Sequence, residues 1–389
     1  MMNGLRTPSA LPNATQAMRD RISLGFLGDV CLSLDVINVV RRQGPEFLFE
    51  SVKPLFEPLD LVVANLECCI TDRGGDAAPQ RPPLSVPADV AAALTGSGID
   101  VFGLANNHVM DFGPDGLRST MAFLDGHGFA HFGAGTNLAA AEAPRCLDVG
   151  GRRIALLGAC DVTASWADRD KAGVAPLVRS RLLRRVADAR PHADVVVVVL
   201  HADLEFTRHP APWRQNLSRR LVDAGAALVI QHHPHVCQGI EHYRGGIIAY
   251  SLGNTVFHVA NNDYQRHVGT DESMLLKTSI EFADETARIV KDVLPLKVDR
   301  DHRPVSCDRE PAAEQLKRLE GQSLQLLDKR SIRSAWRRTC LRQLRAHLYG
   351  TYYTLRREGF GAAVRDQARF FRQKEDRRWL IGSLSAGYM

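Results

Sequence analysis

The chain has 389 residues, of which 45% are hydrophobic and 24% are charged, and its formal net charge is +5. This hydrophobic content excludes a wholly disordered chain, and the unperiodic scatter of 31 glycines and 19 prolines excludes a collagen-like repeat. No apolar run reaches the roughly 18 residues typical of a membrane-spanning helix, and the length predicts one large domain with an appendage.

Residues 1–20 are polar and predict a flexible leader. No apolar segment follows Arg6, as a cleaved secretory signal would require. The eight cysteines form no C-x-x-C pair, so neither a zinc ribbon nor a thioredoxin-type motif is indicated. We therefore predict reduced thiols and a cytoplasmic protein, whose contact with a membrane would be peripheral.

Residues 21–304 alternate between short apolar runs and segments compatible with helices. The runs are aliphatic, often β-branched and four to six residues long, which predicts buried strands in a layered α/β domain. The predicted strands are Leu24–Gly28, Leu61–Ala64, Val101–Leu104, Ile154–Gly158, Val195–Leu200, Ala227–Ile230 and Ile247–Tyr250. The predicted helices are Pro87–Thr95, Pro114–Leu124, Val178–Ala189 and Trp213–Ala224.

Three further segments of this region have their own patterns. Met274–Phe282 and Ala287–Val298 predict two consecutive strands that pair as a hairpin. Arg73–Val86 is rich in glycine and proline, which predicts a surface loop over the edge of the sheet.

Residues 305–389 predict a basic α-helical extension. Residues 311–389 carry 17 basic and 7 acidic side chains, whereas the rest of the chain carries 32 basic and 37 acidic ones. Helical spacing runs through Glu314–Leu348 and Tyr352–Arg378, with breaks predicted at Gly350 and Gly359–Gly361. The charge therefore divides an acidic domain from a basic tail near residue 305.

The aromatic residues of this tail allow two interpretations. They are Trp336, Tyr349, Tyr352, Tyr353, Phe360, Phe370, Phe371 and Trp379. One interpretation is a surface for anionic lipid, nucleic acid or an acidic polymer, with no specific nucleic acid predicted. The other is a helical hairpin that packs its aromatic residues on the core and keeps its arginines in water.

Polar residues follow the predicted strands of the domain. In α/β sheets the loops at the carboxyl ends of strands converge, so these residues predict one pocket with carboxylate, amide and imidazole groups. The strand-end groups are Gly28-Asp29, Asn65-Leu66-Glu67, Asn106-Asn107-His108, His201 with Asp203 and Glu205, Gln231-His232-His233-Pro234-His235, and Ser251-Leu252-Gly253-Asn254.

Each strand-end group alone is also explained by an ordinary loop. Gly28-Asp29 makes a good turn, and asparagine turns account for part of Asn106-Asn107. Six compatible groups together favour a functional site. Oxygen and imidazole ligands suit one or two divalent ions, namely Mn, Fe, Zn or Mg. Such an ion polarises a phosphoryl or carbonyl oxygen and lowers the pKa of bound water.

These motifs resemble the CapA-type family of poly-γ-glutamate capsule synthesis proteins, which is itself similar to the calcineurin-like metallophosphoesterases. The resemblance spans residues 20 to 260 and does not cover the tail. It implies a four-layer αββα metallophosphatase-like sandwich, here followed by the helical extension. The segments that carry it are Phe26–Val30, Ala64–Glu67, Leu104–His108 with Asp111, Gly113 and Gly116, His201-x-x-x-Glu205, His232–Val236 with Gln238, and Tyr250–Asn254.

The resemblance also implies roles for individual residues. Asp29 matches the metal carboxylate of the first strand, Glu67 the bridging carboxylate, and Asn107 the metal-binding asparagine. His108 matches the histidine that protonates a leaving group or stabilises the developing charge. The further implied metal ligands are His201, His233 and His235. The further catalytic candidates are Asn106 and Glu205, and the pocket-shaping candidates are Asn65, His232 and Asn254, with Glu205 also considered in that role.

Three positions depart from the phosphoesterase pattern. Cys31 stands where a histidine is usual, Gln231 where a glycine precedes the paired histidines, and Thr255 where an aromatic residue is common. A thiolate at Cys31 would suit a soft metal, but a buried inert thiol is favoured. The changes at Cys31 and Gln231 leave a one-metal site as the alternative to a two-metal site.

Two hypotheses about function follow from the sequence. The first is a CapA-like metal-dependent hydrolase of a phosphoester or of a γ-glutamyl amide in capsule or exopolymer biosynthesis, with an anionic polymer or phosphoester as substrate. The alternative is a non-catalytic scaffold of a polymer-synthesis complex, which docks to a membrane or a partner through its basic tail.

Overall fold

The computed structural model describes residues 19–72, 83–163, 165–258, 269–283, 286–361 and 364–365. Most of the predicted leader, the first part of the predicted loop at 73–86 and the tail beyond 365 lie outside these residues. The end of that loop contains a two-residue strand at Ser85–Val86.

The described residues form a mixed α/β fold. The strands are β1 (Arg21–Val30), β2 (Leu61–Leu66), β3 (Cys69–Ile70), β4 (Ser85–Val86), β5 (Val101–Gly103), β6 (Ala130–Phe132), β7 (Ala134–Gly135), β8 (Arg145–Val149), β9 (Arg152–Cys160), β10 (Gly173–Val174), β11 (Val195–His201), β12 (Leu228–His232), β13 (Ile240–Tyr243), β14 (Gly246–Ala249), β15 (Asn254–Val256), β16 (Glu272–Ala283), β17 (Thr286–Val298) and β18 (Pro304–Ser306). The α-helices are α1 (Asp35–Gln43), α2 (Lys53–Phe56), α3 (Ala88–Ala91), α4 (Gly113–Gly126), α5 (Leu138–Glu142), α6 (Arg179–Ala189), α7 (Pro212–Asp223), α8 (Arg309–Leu326) and α9 (Lys329–Glu358).

Two larger sheets organise these strands. The first sheet has the order β18-β17-β16-β1-β2-β5-β6, and β15 also pairs with β1. The second sheet has the order β13-β14-β12-β11-β9-β8. Strands β1, β2, β5 and β6 run parallel, as do β9, β11, β12 and β14, so within each sheet these strands bring their carboxyl ends to one edge.

A hydrophobic cluster joins the two sheets. It contains Leu24 and Val63 of the first sheet together with Leu156, Val197 and Ile230 of the second. Side chains alternate between the two faces of a strand, so the neighbouring residues of the same strands point the other way. A second cluster on the other face of the first sheet includes residues of α1, α3 and α4, and a third cluster joins the second sheet to α6 and α7.

The predicted secondary structure of the domain is confirmed in its main elements. All seven predicted strands and all four predicted helices coincide with observed ones, and α3 continues into a 3₁₀ turn over 92–96. The predicted hairpin is present as β16 and β17, which pair antiparallel along their whole length. The proposed boundary at residue 305 falls within β18, whose pairing with β17 continues the first sheet to Ser306.

Of the two breaks predicted in the tail, the one at Gly359–Gly361 coincides with the end of α9 at Glu358. The predicted break at Gly350 is wrong, because α9 continues through it to Glu358. One glycine costs a helix only about 1 kcal/mol, which 30 consecutive helical residues can absorb. The break between α8 and α9 instead lies at Leu327–Asp328, where the Asp328 carboxylate accepts hydrogen bonds from the N–H groups of Arg330 and Ser331.

Within the described residues, the tail packs on the domain in its first part. Leu319, Leu326 and Ile332 join the hydrophobic clusters of the sheets, and Trp336 packs with Cys340 and Ala211. Further along α9 the large side chains are exposed, namely Leu348, Tyr349, Tyr352 and Tyr353. Packing of aromatic residues on the core therefore describes Trp336 but not these tyrosines.

Neither membrane-spanning helices nor disulfides are found in the described residues. None of the helices within the described ranges has both the length and the apolar character needed to cross a membrane. All eight cysteines lie in the described part of the chain, and no disulfide joins any of them.

Candidate metal centre

Strand pairing places the predicted residues of each sheet side by side. Asp29, at the end of β1, is in register with Asn65 of β2 and with Asn254 of β15. His201, at the end of β11, is in register with His232 of β12. The parallel arrangement therefore brings these five side chains to the carboxyl edges of their sheets, as the sequence predicts.

The edges of the two sheets meet at a buried cluster. The Nδ1 atom of His232 lies 3.2 Å from Oδ1 of Asp29, and Nε2 of His201 lies 3.4 Å from Oε1 of Glu67. These four side chains are at most 2% exposed. The site thus combines residues whose strands are separated by more than 100 positions in the sequence.

A close contact between two glycines positions Asp29. A Cβ atom on Gly28 would lie 2.0 Å from the carbonyl oxygen of Gly253, and that same oxygen accepts a hydrogen bond of 3.0 Å from the Asp29 N–H. Gly253 itself has a φ of 74°. Only glycine permits this approach at residue 28, so the Gly-Asp pair follows from backbone packing as well as from turn formation.

The acidic and imidazole side chains form three overlapping groups, and the candidate ligand atoms in each group lie within 4.8 Å of one another. The groups are Asp29, Glu67 and His235; Glu67, His201 and His233; and Glu205, His233 and His235. Glu67 belongs to two groups, which is the position expected of a carboxylate shared by two ions. Glu205, predicted as a catalytic or pocket residue, lies among the candidate ligands.

The Glu67 carboxylate is buried without hydrogen-bond donors. Within the described residues neither of its oxygens accepts a hydrogen bond, and neither does Oδ2 of Asp29. Burial and the charge of Asp29 raise the pKa of Glu67 to about 8. A buried carboxylate without hydrogen-bond donors is costly, and a divalent cation is a partner that fits its charge.

Neighbouring side chains set the charge of the other members. Burial opposes ionisation of Asp29, but the adjacent imidazoles of His232 and His235 hold its pKa well below the usual value. Burial also opposes protonation of His235, but the carboxylates of Glu67 and Asp29 raise its pKa to about 10. Burial lowers the pKa of His201, which keeps this imidazole neutral and suited to binding metal.

Two histidines of the loop after β12 have left-handed backbone conformations. The φ angles of His233 and His235 are 95° and 56°, values that carry strain for residues with a side chain. Such strain clusters at functional sites, where the surrounding structure maintains it. Nδ1 of His235 lies 2.9 Å from Oδ1 of Asn254, and Asn254 also donates a 2.9 Å hydrogen bond to the carbonyl oxygen of Thr270.

Asn107 contacts the predicted ligand His201. Its Oδ1 atom lies 2.8 Å from Nε2 of His201, and within the described residues its Nδ2 atom has no hydrogen-bond partner. Ligand atoms that bind one ion at about 2.1 Å lie about 3 Å apart. The pair therefore has the spacing of two ligands of the same ion.

Asn65 and Asn106 connect the site to its supporting loops. Asn65 donates to Oδ1 of Asp29 at 2.8 Å, and its own Oδ1 accepts from Asn106 at 3.2 Å. Asn106 also donates to the carbonyl oxygen of Leu66 and accepts from the N–H groups of His108 and Val109. These contacts occupy both ends of the Asn106 amide, which favours a positioning role over the predicted contact with reacting groups.

His108 is oriented by a carboxylate. Its Nδ1 atom lies 2.8 Å from Oδ2 of Asp111, and both residues are nearly buried. The same oxygen accepts a hydrogen bond from the N–H of Leu84. Asp111 belongs to a motif that carries the family resemblance, but no role is predicted for it. Its three-residue spacing from His108 is the signal that points to this contact.

Gln231 and Cys31, two of the departures from the phosphoesterase pattern, lie in different surroundings. Gln231 donates a 2.7 Å hydrogen bond to Ser218 on α7, so its side chain lies on the helix side of the second sheet and does not bear on the number of ions. Cys31 lies in the cluster beneath the first sheet, and its Sγ is 3.0 Å from Oγ of Ser33. Thr255 is buried beside Asn254.

Arg214, which the sequence does not predict as a site residue, supports two of the site loops. Arg214 on α7 is fully buried and donates to the carbonyl oxygens of Ala202 and Tyr250, the residues next to His201 and Ser251. Its Nε lies 3.3 Å from Oδ2 of Asp203. An arginine in an amphipathic helix normally indicates an exposed position, so no local pattern marks this residue.

Comparison with known proteins places these residues in a described family. Residues 23–259 match the family described as bacterial capsule synthesis protein PGA_cap. This range contains every residue of the three overlapping groups.

Individual relatives agree with this match. The capsule biosynthesis protein CapA of Bacillus anthracis is 30% identical over 72% of this chain and 68% of its own length. The PGA biosynthesis protein CapA of Bacillus subtilis is 33% identical over 61% of this chain and 64% of its own length. Among solved structures, a hypothetical protein from Thermus thermophilus aligns with 17% identity and a TM-score of 0.42, over 70% of this chain and 99% of that one.

Proposed function

The chain belongs to the CapA-type family of bacterial capsule synthesis proteins, and we propose that it is a metal-dependent hydrolase acting in capsule or exopolymer biosynthesis. We further propose that residues 21–304 form a four-layer αββα metallophosphatase-like sandwich, and that residues 305–389 are an appended extension. The helices packed against the outer faces of both sheets support this architecture.

One observation carries the proposal of metal-dependent chemistry. Glu67 lies between two groups of imidazole and carboxylate side chains, fully buried, with neither oxygen accepting a hydrogen bond from the described residues. A structural carboxylate in the interior is normally satisfied by donors. An unsatisfied one that several candidate ligands surround is the arrangement expected of a metal centre.

The residues divide naturally into two ligand sets. Asp29, Glu67 and His235 would hold one ion, and Glu67, His201 and His233 would hold a second, with Asn107 beside His201. When bound, such ions polarise a phosphoryl or carbonyl oxygen and lower the pKa of coordinated water. Mn, Fe and Zn suit this mixture of carboxylate and imidazole ligands best, and Mg suits the oxygen ligands alone.

The remaining polar residues position groups or move a proton. Asp111 holds Nδ1 of His108 and so leaves Nε2 as the nitrogen that donates a proton to the leaving group. Asn65 orients the carboxylate of Asp29, and Asn254 orients the imidazole of His235. Such neighbours fix the ligands before an ion or substrate arrives.

The proposed substrate is a phosphoester or a γ-glutamyl amide of an anionic polymer. Both reactions place negative charge on an oxygen next to the scissile bond, and both release a leaving group that needs a proton. His108 meets the second need for either substrate. The names of the two Bacillus relatives refer to capsule and PGA biosynthesis, which favours a polymer substrate.

The test combines metal content with hydrolysis. Purified protein, loaded in turn with Mn, Fe and Zn, is assayed on bis(p-nitrophenyl) phosphate and on γ-glutamyl-p-nitroanilide. Asp29→Asn and His233→Asn should lose both metal and turnover, whereas the control His242→Ala, which alters an exposed residue of β13, should keep both. Turnover that persists in both site variants would overturn the proposal, as would inactivity of the metal-loaded protein on both substrate classes.

A second candidate function is a scaffold that docks on an anionic lipid surface. Helix α9 carries nine basic side chains and one acidic one, and Tyr349, Tyr352 and Tyr353 are exposed near its end. Arg356 and Arg357 lie over the rings of Tyr352 and Tyr353. Tyrosines beside arginines are typical of helices that lie at a membrane interface.

This candidate is tested with vesicles. The full chain should sediment with phosphatidylglycerol vesicles and not with phosphatidylcholine vesicles, and high salt should weaken binding because the charges are screened. Replacing Tyr349, Tyr352 and Tyr353 by serine should reduce binding, while Trp336, which packs on the domain, is left intact. Equal binding by both proteins would exclude docking through this face.

A further inference from the structure

A second cluster of metal-type side chains lies outside the centre built around Glu67. Asp35 begins α1, His258 follows β15, and His302 lies in the turn between β17 and β18. One candidate ligand atom from each lies within 4.8 Å of the other two. Three segments far apart in the sequence therefore bring a carboxylate and two imidazoles together.

The separation of two of these ligand atoms matches a tetrahedral metal site. Oδ2 of Asp35 lies 3.5 Å from Nδ1 of His258, and the two imidazole rings are 5.1 Å apart at 51°. Nitrogen and oxygen ligands bind zinc at about 2.0–2.2 Å, which places tetrahedral ligands about 3.4 Å from one another. Asp35 and His258 already have this separation, and His302 completes a set of three.

His302 gives an independent indication of a ligand. It is only 9% exposed, yet within the described residues its Nδ1 atom has no hydrogen-bond partner. Its φ is 62°, a left-handed conformation that carries strain for a residue with a side chain. Burial and the neighbouring His258 lower the pKa of His302, which favours the neutral imidazole that binds metal.

We propose that Asp35, His258 and His302 bind a zinc-type divalent cation, with water in the fourth position. Two imidazoles with one carboxylate suit zinc better than calcium or magnesium, which prefer oxygen ligands. Asp35 is exposed and His258 partly so, which gives the cation access from solvent. This site shares no residue with the centre around Glu67, so the proposal does not rest on the proposed hydrolase function.

The cation would also restrict the movement of the segment after β15, which lies beside the centre around Glu67. Phe257 precedes His258, and its ring packs on the imidazole of His235 with 4.9 Å between ring centroids. Fixing His258 to Asp35 and His302 therefore also fixes Phe257 against His235. A cation bound to these three residues would link α1, the segment after β15 and the turn between β17 and β18.

The experiment counts bound zinc. Full-length protein is stripped with a chelator, equilibrated with buffered Zn²⁺ and analysed for zinc per chain by mass spectrometry. Relative to the wild type, Asp35→Asn and His302→Ala should each bind about one equivalent less, the content of a single site. His242→Ala should bind as much as the wild type. Asp35 is exposed, so its variant tests the site even if His302→Ala disturbs the turn.

A second measurement separates a metal site from a plain ion pair. Zinc should raise the unfolding temperature of the wild type more than that of Asp35→Asn, because the variant has one site fewer to couple with folding. Equal zinc content in the wild type and Asp35→Asn would overturn the proposal and leave an ordinary contact between Asp35 and His258. The proposal would also be overturned if His242→Ala lost the same equivalent of bound zinc as the two site variants.

Discussion

Nδ1 of His232 lies 3.2 Å from Oδ1 of Asp29, so the last residue of β12 in one sheet contacts the ninth residue of β1 in the other. This contact closes the junction between the two sheets at their carboxyl edges. It explains how a site can draw ligands from strands that never pair with each other.

Asn65 should control metal affinity without binding metal itself. Its amide donates to Asp29 and accepts from Asn106, so Asn65→Ala frees a ligand carboxylate to rotate. Removing such a supporting contact typically weakens metal affinity about 10- to 100-fold. Competitive titration with a chelating dye measures this change. An affinity equal to that of the wild type would show that Asn65 has no influence on the ligand set.

His108 and Asp111 should act as a unit in proton transfer. His108→Asn should lower kcat about 10²- to 10⁴-fold while KM changes little, because the general acid acts in the transition state. Asp111→Asn keeps an acceptor for the Leu84 N–H but removes the charge beside the imidazole, so it should shift the pH profile of kcat. An unchanged pH profile in Asp111→Asn would contradict the assigned positioning role.

The metal-free protein should lose stability as the pH rises. The pKa of Glu67 is about 8 in the folded protein against an ordinary 4.5, so between these values the folded state holds a proton that the unfolded chain has released. His235 acts in the same direction between 6.5 and about 10. The lowered pKa of His201 acts in the opposite direction only below its ordinary value of 6.5. The free energy of unfolding of chelator-treated protein should therefore fall above pH 6.5, up to about pH 9.

Two comparisons check the origin of this pH dependence. Glu67→Gln, which cannot ionise, should have a flatter profile than the wild type over the same range. Metal binding requires the deprotonated carboxylate, so added Mn or Zn should stabilise the wild type more at pH 8 than at pH 5. A rise in stability with pH in the metal-free wild type would contradict the raised pKa of Glu67.

Replacing the buried Arg214 should lower the free energy of unfolding far more than replacing Arg220, an exposed arginine of the same helix. Arg214→Met removes a fully buried charge from contact with Asp203 and leaves that carboxylate without its ion pair, which typically costs about 3–5 kcal/mol. Arg220→Met on the same helix alters an exposed residue and should change the free energy of unfolding by less than about 0.5 kcal/mol. Urea denaturation of the two variants measures both values.

A double variant separates the charge from the packing. Arg214→Met combined with Asp203→Asn should recover part of the lost stability, because no unpaired carboxylate remains buried. If the two substitutions lower the free energy of unfolding additively, the loss in Arg214→Met comes instead from the hydrogen bonds that Arg214 donates to the carbonyl oxygens of Ala202 and Tyr250.

Local patterns in the sequence predict most of the regular elements. The valine run of β11 and the aliphatic runs of β12 and β14 are apolar on both faces, which is typical of strands covered on both sides. Shorter strands such as β6 have only three residues, too few to establish a period, and the prediction misses them. The break predicted at Gly350 fails because neighbouring helical residues outweigh one glycine.

The sequence by itself determined the buried strands and the polar residues at their carboxyl ends, because hydrophobic period and residue chemistry are local properties. Only the tertiary structure decided which of those residues share a centre. It brings Glu67 between two sets of candidate ligands, directs Gln231 towards α7, and places Asp35 beside His258 and His302. Periodicity determines the face on which a side chain lies, but register and the packing of one sheet on another determine which faces meet.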